Sequence, residues 1–254
     1  MSASDIAGVL LDIDDTLVDS RGAFRHALQV VGDLYLAPGF DVDDMTAHWR
    51  ADAAGWYRSH ARGEITHREQ RMRRANLLHE AYGGPVLDEA AYNEWDAQFE
   101  AAFRAGWRAH DDAAVLLDQL DEAGVAYGAV SNADSVYQAM KLAAVGLARV
   151  PMLVGVDTFG KGKPDPRVFL EGARLLGVDP ALTAYVGDEK DIDAGAAYAA
   201  GLGVGVWLDR PGGHPQPGQM PPGTVRVESL SDVAAVLGIG AGEPGEFGQG
   251  ARLG

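Results

Sequence analysis

The chain has 254 residues, 47% of them hydrophobic, which is enough for one large domain or two smaller ones around a proper core. Its 21 basic side chains face 37 acidic ones, and the formal charge of -16 argues against general affinity for nucleic acid or an anionic membrane. Cysteine is absent, which excludes disulfide scaffolds, thiolate zinc sites and cysteine nucleophiles. The apolar run nearest the N-terminus is broken by Asp12 and lacks a basic leader, and no stretch is long enough for a bilayer. Neither a signal peptide nor a membrane span is expected, and the cytoplasm is the expected compartment.

Val9, Leu10 and Leu11 form a short continuous apolar run, the pattern of a parallel strand covered by helices on both faces. It ends in Asp12, Asp14 and Asp15, followed by Thr16. In open α/β sheets ligands collect beyond the carboxyl ends of strands, so these residues fall where a site is expected. Three carboxylates so close together repel one another and invite a divalent cation, for which Mg²⁺ with oxygen ligands and a substrate phosphate is the natural candidate.

From residue 18 to residue 108 the helical period dominates. Pieces around Ala23 to Leu34, Asp44 to His60 and Thr66 to Tyr82 are separated by Pro38-Gly39 and Gly83-Gly84-Pro85. Tyr92, Trp95, Phe99, Phe103 and Gly106 then recur at three- and four-residue spacing and line one helix face. This segment reads as a helical bundle inserted after the first strand.

From His110 onward helix and strand alternate, the signature of a parallel sheet wrapped by helices. A helix carrying Ala113, Leu116, Leu117 and Leu120 is predicted to end near Gly124, before a strand over Val125 to Val130 that terminates at Ser131-Asn132. A short helix through Met140 and Leu142 and a third strand over Met152 to Val156 follow. Asp165 and Pro166 are suited to the cap and first turn of a helix whose buried stripe is predicted as Val168, Gly172, Leu175 and Leu176. Strands over Thr183 to Val186 and Gly203 to Leu208 flank a helix from Ala194 to Ala200. Arg210 to Gly223, dense in proline and glycine, reads as a surface loop. Val225 to Val227 and a helix over Asp232 to Leu237 close the core, and residues 238–254 are expected to be disordered. The expected organisation is a core of residues 1–17 and 109–237 and a helical cap of residues 18–108.

Strand ends thus carry Asp12 and Asp14, Ser131-Asn132, and Asp188, while Lys163 sits in a loop before a helix. With DIDDT at 12–16, AVSN at 129–132, GKPDP at 162–166 and VGDEKDID at 186–193, in that order, the sequence resembles the haloacid dehalogenase-like hydrolase superfamily. The resemblance implies an α/β fold with a Rossmann-like parallel sheet and a helical cap inserted after the first motif. It also implies Mg²⁺-dependent phosphoryl transfer through an aspartyl-phosphate on a small phosphorylated metabolite. Asp12 matches the nucleophile, Asp14 the general acid and base, and Thr16 the residue supporting the turn. Ser131 and Asn132 match the phosphate-binding pair, and Lys163 the lysine that neutralises nucleophile and phosphoryl group, with Lys161 as its rival. Asp188 matches the metal ligand acting with Asp12 and the carbonyl of Asp14. Asp193 matches the last acidic position, with Asp191 as the alternative. Dehalogenases proper lack the second aspartate of the first motif, so Asp14 favours phosphate chemistry. A phosphomutase, or an idle binding protein on the same fold, are the alternatives.

Basic residues gather at Arg58, His60, Arg62, His67, Arg68, Arg71, Arg73 and Arg74. Charges at helical spacing favour a solvated face; a grip on an anionic substrate is the alternative. The aromatic residues Trp56, Tyr57, Trp95 and Phe99 are expected in the bundle core.

Overall fold

The computed structural model describes residues 6–61, 64–213 and 215–240. The chain divides into two compact units, one built from the segment up to Val18 together with the chain from Ala109 onward, the other from Asp19–Arg108. The first boundary follows Val18 rather than Leu17, because Val18 bridges to Asp14 and to Ala109. Strand β1 (Gly8–Leu11) is buried throughout.

The unit from Asp19 to Arg108 is helical. It comprises α1 (Ser20–Tyr35), α2 (Val42–Ala51), α3 (Trp56–Ala61), α4 (His67–Tyr82) and α5 (Glu89–Ala105). Side chains of Asp19, Asp41, Thr66 and Asp88 accept from orphan backbone N–H groups in the first turns of α1, α2, α4 and α5. The single helical piece expected from Asp44 to His60 is two helices. Asp52 adopts a left-handed conformation that ends α2, and its carboxylate accepts from the N–H groups of Tyr57 and Arg58.

The α5 stripe forms the core of this unit. Trp95 lies 5.1 Å from Phe99 between ring centroids, and Trp49 of α2 stacks on both. Trp95 and Phe99 are buried as expected, whereas Tyr57 on the short helix α3 is 53% exposed. The arginines are not a simply solvated face. The guanidinium groups of Arg68, Arg71, Arg73 and Arg74 lie 4.2–4.9 Å from the ring centroids of Tyr92, Phe99, Trp56 and Trp49. Arg68 pairs with Glu89, Arg73 with Glu69, and Arg74 donates to the carbonyl of Trp49. Arg62 lies outside the described residues.

In the other unit, β1 is followed by α6 (Asp111–Ala123), β2 (Ala126–Val130), α7 (Ser135–Ala144), β3 (Met152–Val154), α8 (Val156–Phe159) and α9 (Pro166–Leu176). Next come β4 (Thr183–Gly187), a π-helical turn over Lys190–Gly195 that leads into α10 (Ala196–Ala199), β5 (Val204–Leu208), β6 (Thr224–Val227) and α11 (Val233–Val236). The strands form one sheet in the order β3-β2-β1-β4-β5-β6, with every pairing parallel. Alternate residues feed two cores. Val9, Leu11, Val186 and Val206 pack with Leu116, Leu117 and Leu120 on one face. Leu10 and Tyr185 pack with Val168, Phe169 and Ala173 on the other.

Three expectations are corrected in detail. The third strand stops at Val154, because Gly155 caps α8. The buried stripe of α9 is Val168, Phe169, Gly172 and Ala173, while Leu175 is 44% exposed. The helix expected from Ala194 to Ala200 is α-helical only over Ala196–Ala199, because Ala194 and Gly195 belong to the π turn, a form often found at functional positions. The expectation of disorder falls on residues of which 241–254 lie outside the described chain. Among the described residues, no helix is long and apolar enough to cross a membrane.

Candidate functional site

Sheet register brings the motifs together. From the central strand β1 the chain moves through β2 to β3 on one side, then returns to β4 on the other, which makes the β1/β4 boundary the topological switch point. Leu11 is level with Ala129 of β2 and with Val186 of β4. The residues that follow, Asp12, Ser131 and Asp188, therefore emerge at one edge. The Asp12 N–H donates to the carbonyl of Val186 across this boundary.

The turn after β1 is set by Asp15, whose φ of 60° lies in the left-handed region that aspartate tolerates better than most side chains. Its N–H donates to the carbonyl of Val18 and closes the turn. Thr16 is buried, and its hydroxyl donates to Asp12 Oδ2 at 3.2 Å.

Lys163 is buried against this carboxylate. Its Nζ lies 2.6 Å from Asp12 Oδ1, 2.7 Å from Asp193 Oδ1 and 2.8 Å from the Tyr185 hydroxyl. Asn132 fixes the Lys163 backbone from both sides, accepting from its N–H and donating to its carbonyl at 3.0 Å. A side chain at Gly162 would collide with Asn132, since a Cβ there would stand 2.2 Å from Asn132 Oδ1. Lys161, two residues earlier, is exposed.

Asp193 is buried on the π turn and Asp191 is exposed. The Asp193 carboxylate accepts from the Glu189 N–H at 3.0 Å, and Gly187 leaves it room, because a Cβ at that position would approach Asp193 Oδ2 to 2.3 Å. The Asp188 carbonyl accepts from Trp207 Nε1 at 3.0 Å and from Gln216 Nε2 at 2.7 Å, which tie the backbone of this loop to β5 and to the proline-rich segment.

Ligand oxygens of Asp12, Asp188 and Asp193 lie within 4.8 Å of one another. Burial, then the charges of Asp12 and Asp193, push the Asp188 carboxyl up to about 9. Burial likewise raises Asp12, with Lys163 opposing and Asp193 and Asp14 reinforcing the rise. Burial disfavours the Lys163 ammonium, but Asp12 and Asp193 outweigh it and hold its proton more tightly than usual. Ionised, as ligands of a cation must be, three carboxylates against one ammonium leave an excess of two negative charges, the charge of one divalent cation. The donors are hard oxygens without thiolate or imidazole, a set that suits Mg²⁺ or a similar ion. The residues present therefore fit a divalent metal.

Asp14 stands apart from that cluster. Lys141 Nζ donates to its Oδ1 and Gln138 Nε2 to its Oδ2, each at 2.6 Å. Gln138 Nε2 also lies 2.8 Å from Ser131 Oγ.

The structure thus places Asp12, Thr16, Asn132, Lys163, Asp188 and Asp193 in one connected group and joins Asp14 to Ser131 through Gln138. Sequence reasoning did not single out Gln138, Lys141, Tyr185 or Arg210. Arg210 donates to the carbonyl of Thr16 at 3.0 Å and clamps both carboxylate oxygens of Asp112. A signal existed for two of these residues: Gln138 and Lys141 share the helical face of Leu142, where a second and third apolar residue would be expected.

A hydrolase profile described as haloacid dehalogenase-like hydrolase matches residues 6–201. Glyceraldehyde 3-phosphate phosphatase of Methanopyrus kandleri is 30% identical over 203 residues, covering 78% of this chain and 82% of its own. Phosphoserine phosphatase of Thermus thermophilus is 29% identical over 254 residues, covering 89% of this chain and 96% of its own. Among solved structures, the magnesium-bound hydrolase YfnB of Bacillus subtilis superposes with a TM-score of 0.73 at 22% identity, over 92% of this chain and 99% of its own. With the profile spanning most of the chain, and the motif-bearing strand ends converging on a carboxylate cluster, the protein belongs to the haloacid dehalogenase-like hydrolase family.

Proposed function

We propose that the protein is a Mg²⁺-dependent phosphatase of a small phosphorylated metabolite, working through an aspartyl-phosphate on Asp12. The observation that carries this reading is the buried Asp12–Lys163–Asp193 group beside Asp188 at the switch point of the sheet. Phosphatase relatives of similar length, acting on glyceraldehyde 3-phosphate and phosphoserine, support the reaction class. The unit carrying the sheet is assigned to catalysis and the helical unit to the role of cap.

Asp12 attacks phosphorus; the bond from phosphorus to the ester oxygen breaks, and Asp14 gives its proton to the departing oxygen. A water molecule then attacks the phosphoryl group, Asp14 takes its proton, and the bond to Asp12 breaks to release inorganic phosphate. Lys163 offsets the charge gathered on Asp12 and the phosphoryl oxygens, in a buried setting where such an interaction is far stronger than in water. Ser131 donates its hydroxyl to a phosphoryl oxygen, and Asn132 keeps Lys163 in place. Asp12 and Asp188, with the Asp14 carbonyl, would hold Mg²⁺, with Asp193 in support. When bound, the ion supplies Lewis-acid neutralisation of the phosphoryl charge.

The test is release of phosphate from a panel of phosphorylated metabolites. Turnover should require Mg²⁺ and fall by about three orders of magnitude or more in Asp12→Asn, since the covalent route is then closed. Unchanged turnover in that variant, or isomerised substrate without free phosphate, would reject the reading.

A further inference from the structure

We propose that Gln138 and Lys141 of α7 are positioning residues for this reaction, Lys141 orienting the carboxylate of Asp14 and Gln138 orienting both that carboxylate and the hydroxyl of Ser131. The inference rests on the phosphatase reading and adds two residues to it.

Gln138 is 0% and Lys141 2% exposed, on a helix that leaves Val136 at 77%. Burying an amide and an ammonium costs free energy unless their partners compensate, and an apolar side chain of similar volume would fill the same space without that cost. Their partners are functional groups. Lys141 Nζ reaches Asp14 Oδ1 and Gln138 Nε2 reaches Oδ2, both at 2.6 Å, across 127 and 124 residues of sequence. With each oxygen held by a different donor, the plane of the carboxylate is defined and its rotation is restrained.

The second effect falls on Ser131. Its Oγ accepts from Gln138 Nε2 at 2.8 Å and from the Ala133 N–H at 3.2 Å. Two donors engage both lone pairs of the hydroxyl, so its proton is directed away from them and stays available to a phosphoryl oxygen. The orientation of the Gln138 amide follows from the same contacts: its nitrogen faces the two acceptors, Asp14 Oδ2 and Ser131 Oγ. Gln138 Oε1 is buried with no hydrogen-bond partner among the described residues, an arrangement that a glutamine serving only packing would not require.

A positioned acid matters in proportion to how badly the leaving group needs a proton, and this separates positioning from general support of the fold. Steady-state kinetics should be measured with a dinitrophenyl phosphate, which departs without protonation, and with phenyl phosphate, which needs it. Lys141→Met should lower kcat on phenyl phosphate by about tenfold or more beyond any loss on the dinitrophenyl ester, within the range of acid–base effects. Gln138→Leu should show the same kcat pattern and, through Ser131, raise KM for both esters. In an Asp14→Asn background Lys141→Met should change phenyl phosphate turnover by less than about threefold, because a residue acting through Asp14 has nothing left to act on. Should Lys141→Met fail to fold, Lys141→Gln carries the same comparison. Equal losses on the two esters, or an undiminished loss in the Asp14→Asn background, would overturn the proposal and leave the phosphatase reading intact. Absence of hydrolysis of either ester by the wild-type protein would remove that reading, and this one with it.

Discussion

Replacing Lys163 by methionine tests whether the carboxylate cluster is held together by a single ammonium. Lys163 Nζ donates to Asp12 Oδ1 at 2.6 Å and to the Tyr185 hydroxyl at 2.8 Å, and it forms an ion pair with Asp193 Oδ1 at 2.7 Å. Methionine fills a similar volume and supplies none of these interactions. Removing one partner of a buried ion pair costs about 3–5 kcal/mol, because the remaining charge stays buried and uncompensated. That corresponds to a drop of about two to four orders of magnitude in the folding constant. The loss has a defined pH dependence. Burial already raises the Asp12 and Asp188 carboxyls above their ordinary values, and losing the ammonium raises Asp12 further. A carboxyl whose folded value is raised contributes stability at low pH that disappears as pH rises through that value; the wild type has lost it by its Asp12 value of about 7 while the variant goes on losing it, so the penalty grows between about pH 7 and about pH 9. Urea unfolding followed by tryptophan fluorescence in the presence of a chelator, at both ends of this range, measures it. Adding Mg²⁺ at the high end should recover part of the loss, since the ion replaces the missing positive charge. A loss below about 1 kcal/mol at high pH, or one equal at both ends, would refute the argument.

Two further substitutions probe the supports of the site and of the helical unit. Asp112 accepts from Arg210, from the Ser229 hydroxyl and from the Leu230 N–H; burial alone would raise its carboxyl, but these bonds outweigh it and hold the value at about 2. A depressed carboxyl contributes stability above its unfolded value of about 4 that is lost as pH falls towards about 2, so Asp112→Asn should cost about 1–3 kcal/mol at neutral pH and flatten the acid limb of the urea midpoint. Because Arg210 also donates to the Thr16 carbonyl, the same variant should lower kcat, and a variant with wild-type midpoints throughout would contradict this account. In the helical unit, Trp95 is buried among Trp49, Tyr92 and Phe99. Trp95→Ala should cost about 3–5 kcal/mol by urea unfolding, and a cost under about 1 kcal/mol would show that the aromatic stack is not the core of this unit.

Some of this was written locally. Alternation of apolar runs with helical stripes identified a parallel α/β sheet, since a strand buried on both faces must be apolar along its length, and Val9 to Leu11 are. The cap at Asp165 announced itself because the orphan N–H groups of a first turn need a short oxygen-bearing side chain beside them, and Pro166 follows it. Motif order was equally legible, since the acidic and hydroxyl residues stand directly after the apolar runs that became strands.

Other features depended on side-chain direction and on packing between distant segments. Asp191 and Asp193 are equally acidic and two residues apart; the π turn buries the second and leaves the first exposed. Tyr57 reads as a core aromatic but lies on a short surface helix, and Arg71 and Arg74 read as solvated charges but pack across aromatic rings. Gln138 and Lys141 stand on the face of Leu142, but nothing local names their partners, which lie more than a hundred residues away and are brought near only by the sheet. What this sequence determined by itself was the type and order of its elements, which follow from periods and caps spanning a few residues. What only the tertiary structure decided was which polar groups share a buried space, because that depends on strand register and helix rotation, and both are set by the packing of the whole unit.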